Sequence, residues 1–254
     1  MSITVAHPGD APGVAEPPRP SSLPQRVADL FFSPGRLFAE LREDDRAAAW
    51  LAPILVGFLF VAVVEALRLA LVSDQQLMDF SLEQARRMGQ TATPPPGAME
   101  AQVAMTRVFF LVGGLVSTAV MPFIVGAILW VLFGVMLGGD AGYLKHVGVA
   151  AWASLASSLG YLVISLLQFA SGRLDLTLDL SVLTPDLEPG PLLGVLRALG
   201  PFTIWWVLLL AIGGAVVNRR RGWGLPAAVL FALVIGIGLV AGLLMGVAGG
   251  GAGA

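Results

Sequence analysis

Two ionisable residues, Glu65 and Arg68, interrupt an apolar segment that is otherwise suited to the interior of a membrane. They lie three residues apart, so on a helix their side chains share one face and can form an ion pair. A charge at the centre of a membrane helix costs roughly 2.5–3.5 kcal/mol on insertion scales, so such groups are candidates for function. Both lie in the last third of the segment, where Arg68 can extend toward the outer interface. Two interpretations stay open: a structural pair near the headgroups, or a pair that grips a headgroup, an ion or a partner helix.

A second polar pattern lies in a later apolar segment, where hydroxyl and amide residues follow one another at intervals of four and three. The residues are Ser154, Ser158, Tyr161, Ser165 and Gln168, with Ser157 beside them. These intervals place the side chains on one helix face. Stripes of small hydroxyl residues usually mark contacts between membrane helices, because they allow close approach and hydrogen bonds. The alternative is the wall of a polar path or a substrate cavity, and the sequence leaves both open.

The chain lacks the residue constellations that enzymes and metalloproteins use. It contains no cysteine, which excludes disulfides, thiolate nucleophiles and thiolate metal sites. Its two histidines, His7 and His146, are predicted to lie in a tail and a loop, and neither has a carboxylate pair at metal-ligand spacing. The glycines around Gly236 lack the spacing of a dinucleotide-binding loop. We therefore expect no catalytic residue, no metal site and no cofactor, and we do not expect an enzyme.

The composition is that of a protein with several membrane spans. Hydrophobic residues make up 56% of the 254 residues and charged residues 13%, whereas soluble domains have about 45–50% apolar and about 25% charged residues. Five apolar stretches approach or exceed the length needed to cross a hydrocarbon core roughly 30 Å thick. They cover about residues 50–72, 107–137, 147–170, 201–217 and 225–247. We predict an all-α integral membrane bundle of five transmembrane helices.

The second of these spans is longer than a membrane requires, so it must tilt, kink or protrude, and Pro122 is the expected kink. Polar connections are predicted at 73–105, with a helical stretch around 78–88, and at 171–200. The fifth span has glycines four residues apart, Gly238, Gly242 and Gly246. This spacing is typical of a close helix contact, either within the bundle or between copies of the chain.

The segments outside the spans have different characters. Residues 1–25 are rich in proline and lack aromatic residues, which predicts a disordered tail. Residues 27–46 are predicted to form an amphipathic helix in the membrane interface, with aromatic residues in the acyl boundary and arginines toward headgroups. The alternative is a helix packed against the loops of the bundle. Within this segment Ser33 is the expected N-cap and Pro34 the first helical residue. We predict one membrane domain at 26–247 and a Gly/Ala tail at 248–254.

The basic residues indicate an orientation. A cytoplasmic N-terminus would place on the inside Arg19, Arg26, Arg36, Arg42, Arg46, Lys145, Arg219, Arg220 and Arg221. It would leave outside Arg68, Arg86, Arg87, Arg107, Arg173 and Arg197. The positive-inside rule therefore predicts a cytoplasmic N-terminus and a C-terminus outside. We expect Arg36, Lys145 and Arg219–Arg221 to contact anionic headgroups. No basic–aromatic surface indicates nucleic-acid binding.

Three segments at the boundaries of the spans carry specific motifs. They are FFSPGRLFAEL before the first span, GGDAGYLKHVGVAAWASL entering the third and FTIWWVLLLAIGGAVV opening the fourth. Their most specific residues are Phe32, Pro34, Phe38, Tyr143, Lys145, Phe202, Ile204, Trp205 and Gly213. In these motifs the chain resembles the Yip domain family of Ypt-interacting proteins, over about residues 30–244.

The resemblance implies a five-span bundle with a cytoplasmic N-terminus. Eukaryotic members of the family lie in early secretory membranes and associate with prenylated Rab-type GTPases and with one another. This chain has one lysine, Lys145, against many arginines and is rich in Ala and Gly, which is typical of GC-rich bacterial genomes. A bacterial inner membrane is therefore the expected location, and such GTPases are not expected there. The resemblance carries over no catalytic residue.

The leading hypothesis is a non-enzymatic membrane protein that organises membrane lipids or protein partners, including other copies of itself. The alternative is a small-solute, ion or lipid transporter or channel, with a polar path along the third span. The inverted repeats and broken helices that are typical of transporters are not visible in the sequence.

Overall fold

The computed structural model describes residues 21–87 and 96–250, with side chains for 21–83 and 97–247. Within these residues the chain forms α-helices and no strand, which confirms the all-α prediction. In chain order the helices are α1 (Leu23–Phe32), α2 (Pro34–Glu43), α3 (Ala48–Leu71), α4 (Asp74–Arg87), α5 (Pro96–Trp130), α6 (Tyr143–Ser171), α7 (Pro191–Ala198), α8 (Pro201–Val217) and α9 (Gly224–Gly250). A π-helical segment, Val131–Met136, continues α5, and a 3-10 turn, Leu180–Leu183, precedes α7.

Four segments are long and apolar enough to cross a membrane: α3, α5 with its π-helical continuation, α6 and α9. The predicted fourth span coincides with α8, but its 17 residues extend only about 26 Å at 1.5 Å per residue. The shorter α7 precedes α8 at an angle of 68° across a two-residue break, Leu199 and Gly200. The bundle therefore has four candidate spans, and a fifth when the bent pair is counted as one.

Two helix starts differ from the prediction. The α5 helix begins at Pro96, not near residue 107, because proline suits a first turn and the following Ala, Met, Glu and Gln residues favour helix. It runs through Pro122, and the change from α-helical to π-helical geometry comes later, at 131–136. The α6 helix begins at Tyr143, which moves His146 from the predicted loop into a helical turn.

The amphipathic segment at the N-terminal side folds as two short helices that dock on the bundle. As predicted, α2 has Ser33 at its N-cap position and Pro34 in its first turn, although no capping hydrogen bond from Ser33 forms. The apolar residues of α1 and α2 that are almost fully buried are Leu30, Leu37, Phe38 and Leu41. They join the core with residues of α6 and α8.

Phe38 shows why this segment does not bury its apolar face in lipid. Its ring packs against Gly213 of α8 so closely that a Cβ there would lie 3.0 Å from two ring atoms. The expectation that aromatic residues of this segment enter the acyl boundary is therefore wrong for Phe38, because the glycine leaves room for its ring inside the protein. Phe32, in contrast, is 86% exposed.

The α6 helix is the central helix of the bundle, with α3, α5, α8 and α2 packed around it. Its Trp152 is fully buried and donates a hydrogen bond from Nε1 to the Ala49 carbonyl oxygen, 3.1 Å away at the start of α3. Such a bond satisfies the indole N–H where no water is available. Each neighbour is thus positioned relative to α6.

The glycines of the fifth span lie against α7. A Cβ on Gly238 would come within 2.8 Å of the Gly194 carbonyl oxygen, and one on Gly242 would overlap the Gly190 carbonyl oxygen and lie 2.8 Å from Pro191 Cα. Gly246 is less crowded, at 3.4 Å from the Pro189 carbonyl oxygen. The structure therefore uses the stripe for a contact within one chain.

Replacing Gly242 by alanine is expected to destabilise the α7–α9 contact, because the methyl group has no room against the α7 backbone. Overpacking of this kind costs about 1–3 kcal/mol. The matched control is Gly236→Ala on the same helix, where a Cβ would meet nothing within 4 Å. Thermal unfolding of both variants in detergent checks the prediction, and equal melting temperatures for G242A and G236A would contradict it.

Candidate functional site

The two polar patterns of the sequence meet in one buried cluster. Glu65 Oε2 lies 3.3 Å from Arg68 Nε, and the two residues are 2% and 7% exposed. The Tyr161 hydroxyl of α6 donates a hydrogen bond to Glu65 Oε1 and accepts one from Arg68 Nη2 at 2.9 Å. The three side chains form a closed triangle that joins α3 to α6.

Aromatic rings complete the surroundings of Arg68. Its guanidinium carbon lies 4.4 Å from the centre of the Phe110 ring and 6.0 Å from that of Phe169. Contacts of a cation with ring faces are attractive, and more so away from water. The guanidinium therefore stays inside the bundle, and the expectation that Arg68 extends toward the outer interface is wrong.

The α5 helix closes the other side of the cluster through Gly114. A Cβ at this position would lie 3.1 Å from Val61 Cγ1 and 4.0 Å from Glu65 Oε1. The absence of a side chain at Gly114 thus lets α5 approach the carboxylate of Glu65. Three helices, α3, α5 and α6, therefore enclose one ion pair.

The serines of the third-span stripe, unlike Tyr161, form no hydrogen bond with Glu65 or Arg68 among the described residues. The Ser154 hydroxyl donates to the Ala150 carbonyl oxygen at 2.8 Å, and the Ser158 hydroxyl donates to that of Ser154 at 3.1 Å. Ser165 is fully buried, and its hydroxyl has no hydrogen-bond partner among the described residues. The stripe therefore has two hydroxyls satisfied by their own helix, a common solution in membrane helices.

Gln168, at the end of the stripe, holds the connection that follows α6. Its Nε2 donates to the carbonyl oxygens of Leu174 and Leu176, at 3.1 and 3.0 Å. These bonds satisfy backbone groups in a segment without regular secondary structure. Gln168 thus fastens the segment after α6 to the bundle.

A groove of about 640 Å³ lies beside the cluster, between α5 and α6. Gly114 and Tyr161 line it together with the exposed residues Ser117 and Ser157, which lie on facing helices. The groove reaches Tyr161, but Glu65 and Arg68 lie behind its wall. Among the described residues, no group of three or more His, Asp and Glu side chains could hold a metal ion.

A second buried polar contact, between His146 and Asn218, was not expected from the sequence. His146 is fully buried; its Nδ1 lies 3.0 Å from the Gly142 carbonyl oxygen and its Nε2 3.0 Å from Asn218 Nδ2. This geometry assigns the neutral ring, with Nδ1–H donating and Nε2 accepting. Asn218 also accepts from the Ala141 amide at 3.2 Å. The contact joins the start of α6 to the end of α8. The sequence gives no sign of it, because the two residues are 72 positions apart.

Two basic residues that were expected at lipid headgroups have partners inside the protein. Arg36 forms a two-pronged ion pair with Asp29, with its Nη2 2.5 Å from Oδ2 and its Nε 3.0 Å from the same oxygen. Lys145 Nζ donates to the carbonyl oxygens of Leu41 and Asp44, at 3.0 and 2.8 Å. Lys145 therefore stabilises the C-terminal end of α2, where carbonyl groups lack helical partners.

The turn between α8 and α9 keeps its arginines exposed. Arg219 has a positive φ of 54°, and Arg220 donates from Nη1 to the Leu137 carbonyl oxygen at 2.6 Å. Arg221 is exposed as well, so contact of this turn with headgroups stays a prediction. Arg42 of α2 also reaches this end, 3.5 Å from the Val216 carbonyl oxygen. The segments predicted to be cytoplasmic thus lie together at one end, which we name the α2 end.

Asp44, at the α2 end and outside the spans, is held ionised by two arginines. Its Oδ1 accepts from Arg46 Nε at 2.8 Å, and its Oδ2 accepts from Arg26 Nη2 at 3.3 Å. The hydrogen bond from Arg46 is the largest cause that holds the pKa of Asp44 well below its usual range. The folded state therefore favours the carboxylate over the acid.

Comparisons with known proteins point to one family. A family model described as "Yip1 domain" matches residues 28–245. A curated relative, "Membrane protein YknW" of Bacillus subtilis (strain 168), is 29% identical over 227 residues, which cover 85% of this chain and 90% of that protein. No solved structure shows a significant match.

The buried cluster generates a prediction on stability. Glu65→Gln or Arg68→Gln should each destabilise the protein by about 3–5 kcal/mol, because a buried charge loses its partner. The double variant should cost less than the sum of the two. Arg107→Gln is the control, since Arg107 pairs with the exposed carboxylate of Asp74 and otherwise donates to the Val72 carbonyl oxygen at 3.1 Å, and ion pairs near the surface contribute little. Thermal unfolding in lipid nanodiscs checks this; purely additive effects would contradict it.

Asp44 generates a prediction on pH dependence. Because its folded pKa is depressed, its contribution to stability is complete above the unfolded value, about 4, and is lost as the pH falls toward the folded value. We expect wild type to unfold at a higher temperature than Asp44→Asn at neutral pH and the difference to shrink below about pH 4. Melting curves of both proteins across acidic pH measure it, and a difference that widens on acidification would refute the assignment.

Proposed function

Because the chain belongs to the Yip1 domain family, we propose that this membrane protein is not an enzyme and that it organises membrane lipids or protein partners. The description of its Bacillus relative names only a membrane protein. The function therefore has to be argued from the arrangement of the polar groups in the bundle and from the surfaces that face outward.

The observation that carries the proposal is the closed cluster of Glu65, Arg68 and Tyr161. Each of these side chains has its charge or hydroxyl engaged by the other two. A transported solute would have to compete with these contacts. A cluster that only stabilises the bundle needs no further ligand. The cluster therefore supports a bundle held in one arrangement, with function on its outer faces.

The outer faces are suited to lateral contacts. Large apolar side chains are exposed along α3, α5 and α9, and examples are Leu59, Phe109 and Leu244, at 64%, 73% and 66% exposure. In a membrane such faces meet lipid or other helices. Partners in this proposal are membrane lipids, other membrane proteins or further copies of the chain.

The alternative is a small-solute, ion or lipid transporter or channel with a polar path along α6. The groove that holds Ser117 and Ser157 favours it, because hydroxyls on facing helices can line a path. The bonds of Ser154 and Ser158 to their own helix and the engagement of Tyr161 weigh against it. We therefore keep transport as the second candidate.

The proposed location is a bacterial inner membrane, with the N-terminus in the cytoplasm and the C-terminus outside. The proximity of α2, Lys145 and the arginine turn at the α2 end supports one shared side for the basic segments. Modification of single introduced cysteines at residues 36 and 173 by a membrane-impermeant reagent in intact cells tests it. Labelling at 36 without labelling at 173 would show that the orientation is the opposite of the proposed one.

The function itself is tested by extracting the full chain in native-lipid particles and identifying the retained molecules by mass spectrometry. We expect a stoichiometric protein or an enriched lipid relative to the bulk membrane, and the E65Q and R68Q variants should lose it as the bundle loosens. Arg107→Gln, which removes an ion pair outside the cluster and leaves the exposed apolar faces unchanged, is the control. Reproducible solute flux in proteoliposomes, with nothing retained, would replace this proposal by the transport candidate.

A further inference from the structure

Three spaces lie next to one another along one side of the bundle. The groove between α5 and α6 shares Ser157 with a space of about 360 Å³ between α6 and the start of α8, here named the α6–α8 cavity. The α6–α8 cavity shares Leu176, Thr177 and Arg197 with an open space of about 670 Å³, named the loop cleft. The loop cleft lies between the segment that follows α6 and helices α7 and α9. Because neighbouring spaces share wall residues, one elongated molecule could occupy more than one of them.

The α6–α8 cavity has the length of one lipid leaflet. It follows one face of α6 from Ser157 through Gly160 and Ile164 to Gln168. At 1.5 Å per residue this face is about 16 Å long, about half of a hydrocarbon core roughly 30 Å thick. Phe202 of α8 forms part of the opposite wall. The dimensions therefore match a chain that extends through one leaflet.

The α6–α8 cavity is wide enough for one hydrocarbon chain. Spread over about 16 Å of helix, its volume corresponds to a mean cross-section of about 20 Å². An extended hydrocarbon chain fits a space of this width.

The loop cleft carries more charged groups than the α6–α8 cavity, whose charged lining residues are Asp179 and Arg197. Its walls carry hydroxyl groups and charges of both signs, from Glu83, Arg173, Asp175, Thr177, Ser181, Thr184 and Arg197. Arg173 pairs with Asp175 at 2.9 Å. The series therefore becomes more charged toward the end opposite to the α2 end.

Arg197 lies at the junction of the loop cleft and the α6–α8 cavity, since its side chain lines both. Its guanidinium donates from Nη1 to Met245 Sδ at 3.5 Å, and thioether sulfur is a weak acceptor. It forms no ion pair with a carboxylate of the residues that the structure describes. A phosphate would be a stronger, charge-assisted acceptor for this guanidinium. In a phospholipid the phosphate likewise stands between the polar head and the acyl chains.

We propose that this side of the bundle binds one glycerophospholipid, with its phosphate on Arg197, its head group in the loop cleft and one acyl chain in the α6–α8 cavity. The inference rests on the proposed lipid-organising function and specifies its site and ligand class. The loop cleft carries charges of both signs, with Arg173 and Arg197 beside Glu83 and Asp175, which complements a head group that also carries both. The expected ligand is therefore a zwitterionic phospholipid of the phosphatidylethanolamine type.

The test uses the full chain in vesicles of phosphatidylethanolamine and phosphatidylglycerol that contain a trace of phosphatidylethanolamine with a diazirine in one acyl chain. After illumination and digestion, label on residues 157–168 is measured by mass spectrometry and normalised to label on α3. The expected result is enriched label on 157–168 and on Phe202. Arg197→Gln should lower it about tenfold, which corresponds to one charge-assisted hydrogen bond.

Matched variants separate the site from general lipid contact. Ile164→Trp should fill the α6–α8 cavity and remove the enrichment, whereas Leu167→Trp, on the exposed side of α6, should not. Arg107→Gln removes a charge elsewhere and should leave the label unchanged. Melting temperatures of all variants show whether each is folded, and R197Q, at an exposed position, remains informative if I164W is not.

Several outcomes would overturn the inference. One is equal normalised label in wild type, R197Q and R107Q. Another is displacement of the lipid label by water-soluble glycerophosphoethanolamine to the same extent in wild type and I164W, which would indicate a site for a free phosphate compound. Loss of the lipid site while a protein partner is still retained in native-lipid particles would refute this inference alone and leave the proposed function standing.

Discussion

An ion pair inside a helical membrane bundle needs further polar partners, because neither lipid nor apolar side chains supply them. Glu65 and Arg68 obtain one from Tyr161, and the ring of Phe110 adds a cation–π contact to Arg68. Their mutual orientation requires a particular rotation of α3 against α6, and Gly114 admits α5 at close range. The arrangement of these three helices therefore depends on the neutralisation of one buried charge pair.

Polar contacts elsewhere repeat this logic at the two ends of α6. At one end His146 binds Asn218 and joins the helix to the end of α8. At the other end Gln168 holds two carbonyl groups of the connection that follows. Lipid provides no hydrophobic driving force for helix association, so hydrogen bonds and close packing have to specify the neighbours. The polar residues of α6 therefore connect this helix to the elements around it.

Glycine contacts shape the remaining side of the bundle. Gly238 and Gly242 bring α7 against α9, and the bend between α7 and α8 directs α7 away from the axis of α8. The loop cleft and the α6–α8 cavity open beside this bend. In a straight fourth span, Arg197 would not lie between the loop cleft and the α6–α8 cavity. The same bend that shortens the fourth span thus creates the proposed lipid site.

Features that depend on neighbouring residues could be predicted from the amino-acid sequence. Hydropathy over a window located the membrane segments and the bounds of α8, and Ser33 and Pro34 marked the start of α2. The polar residues Glu65, Arg68 and Tyr161 were also visible as candidates. The contact between these side chains was not visible, because Glu65 and Tyr161, 96 residues apart, come together only through the rotation and packing of their helices. The packing of Phe38 on Gly213, the burial of His146 and the contact of the glycine stripe with α7 likewise follow from the folded bundle, since each depends on a partner far away in the chain.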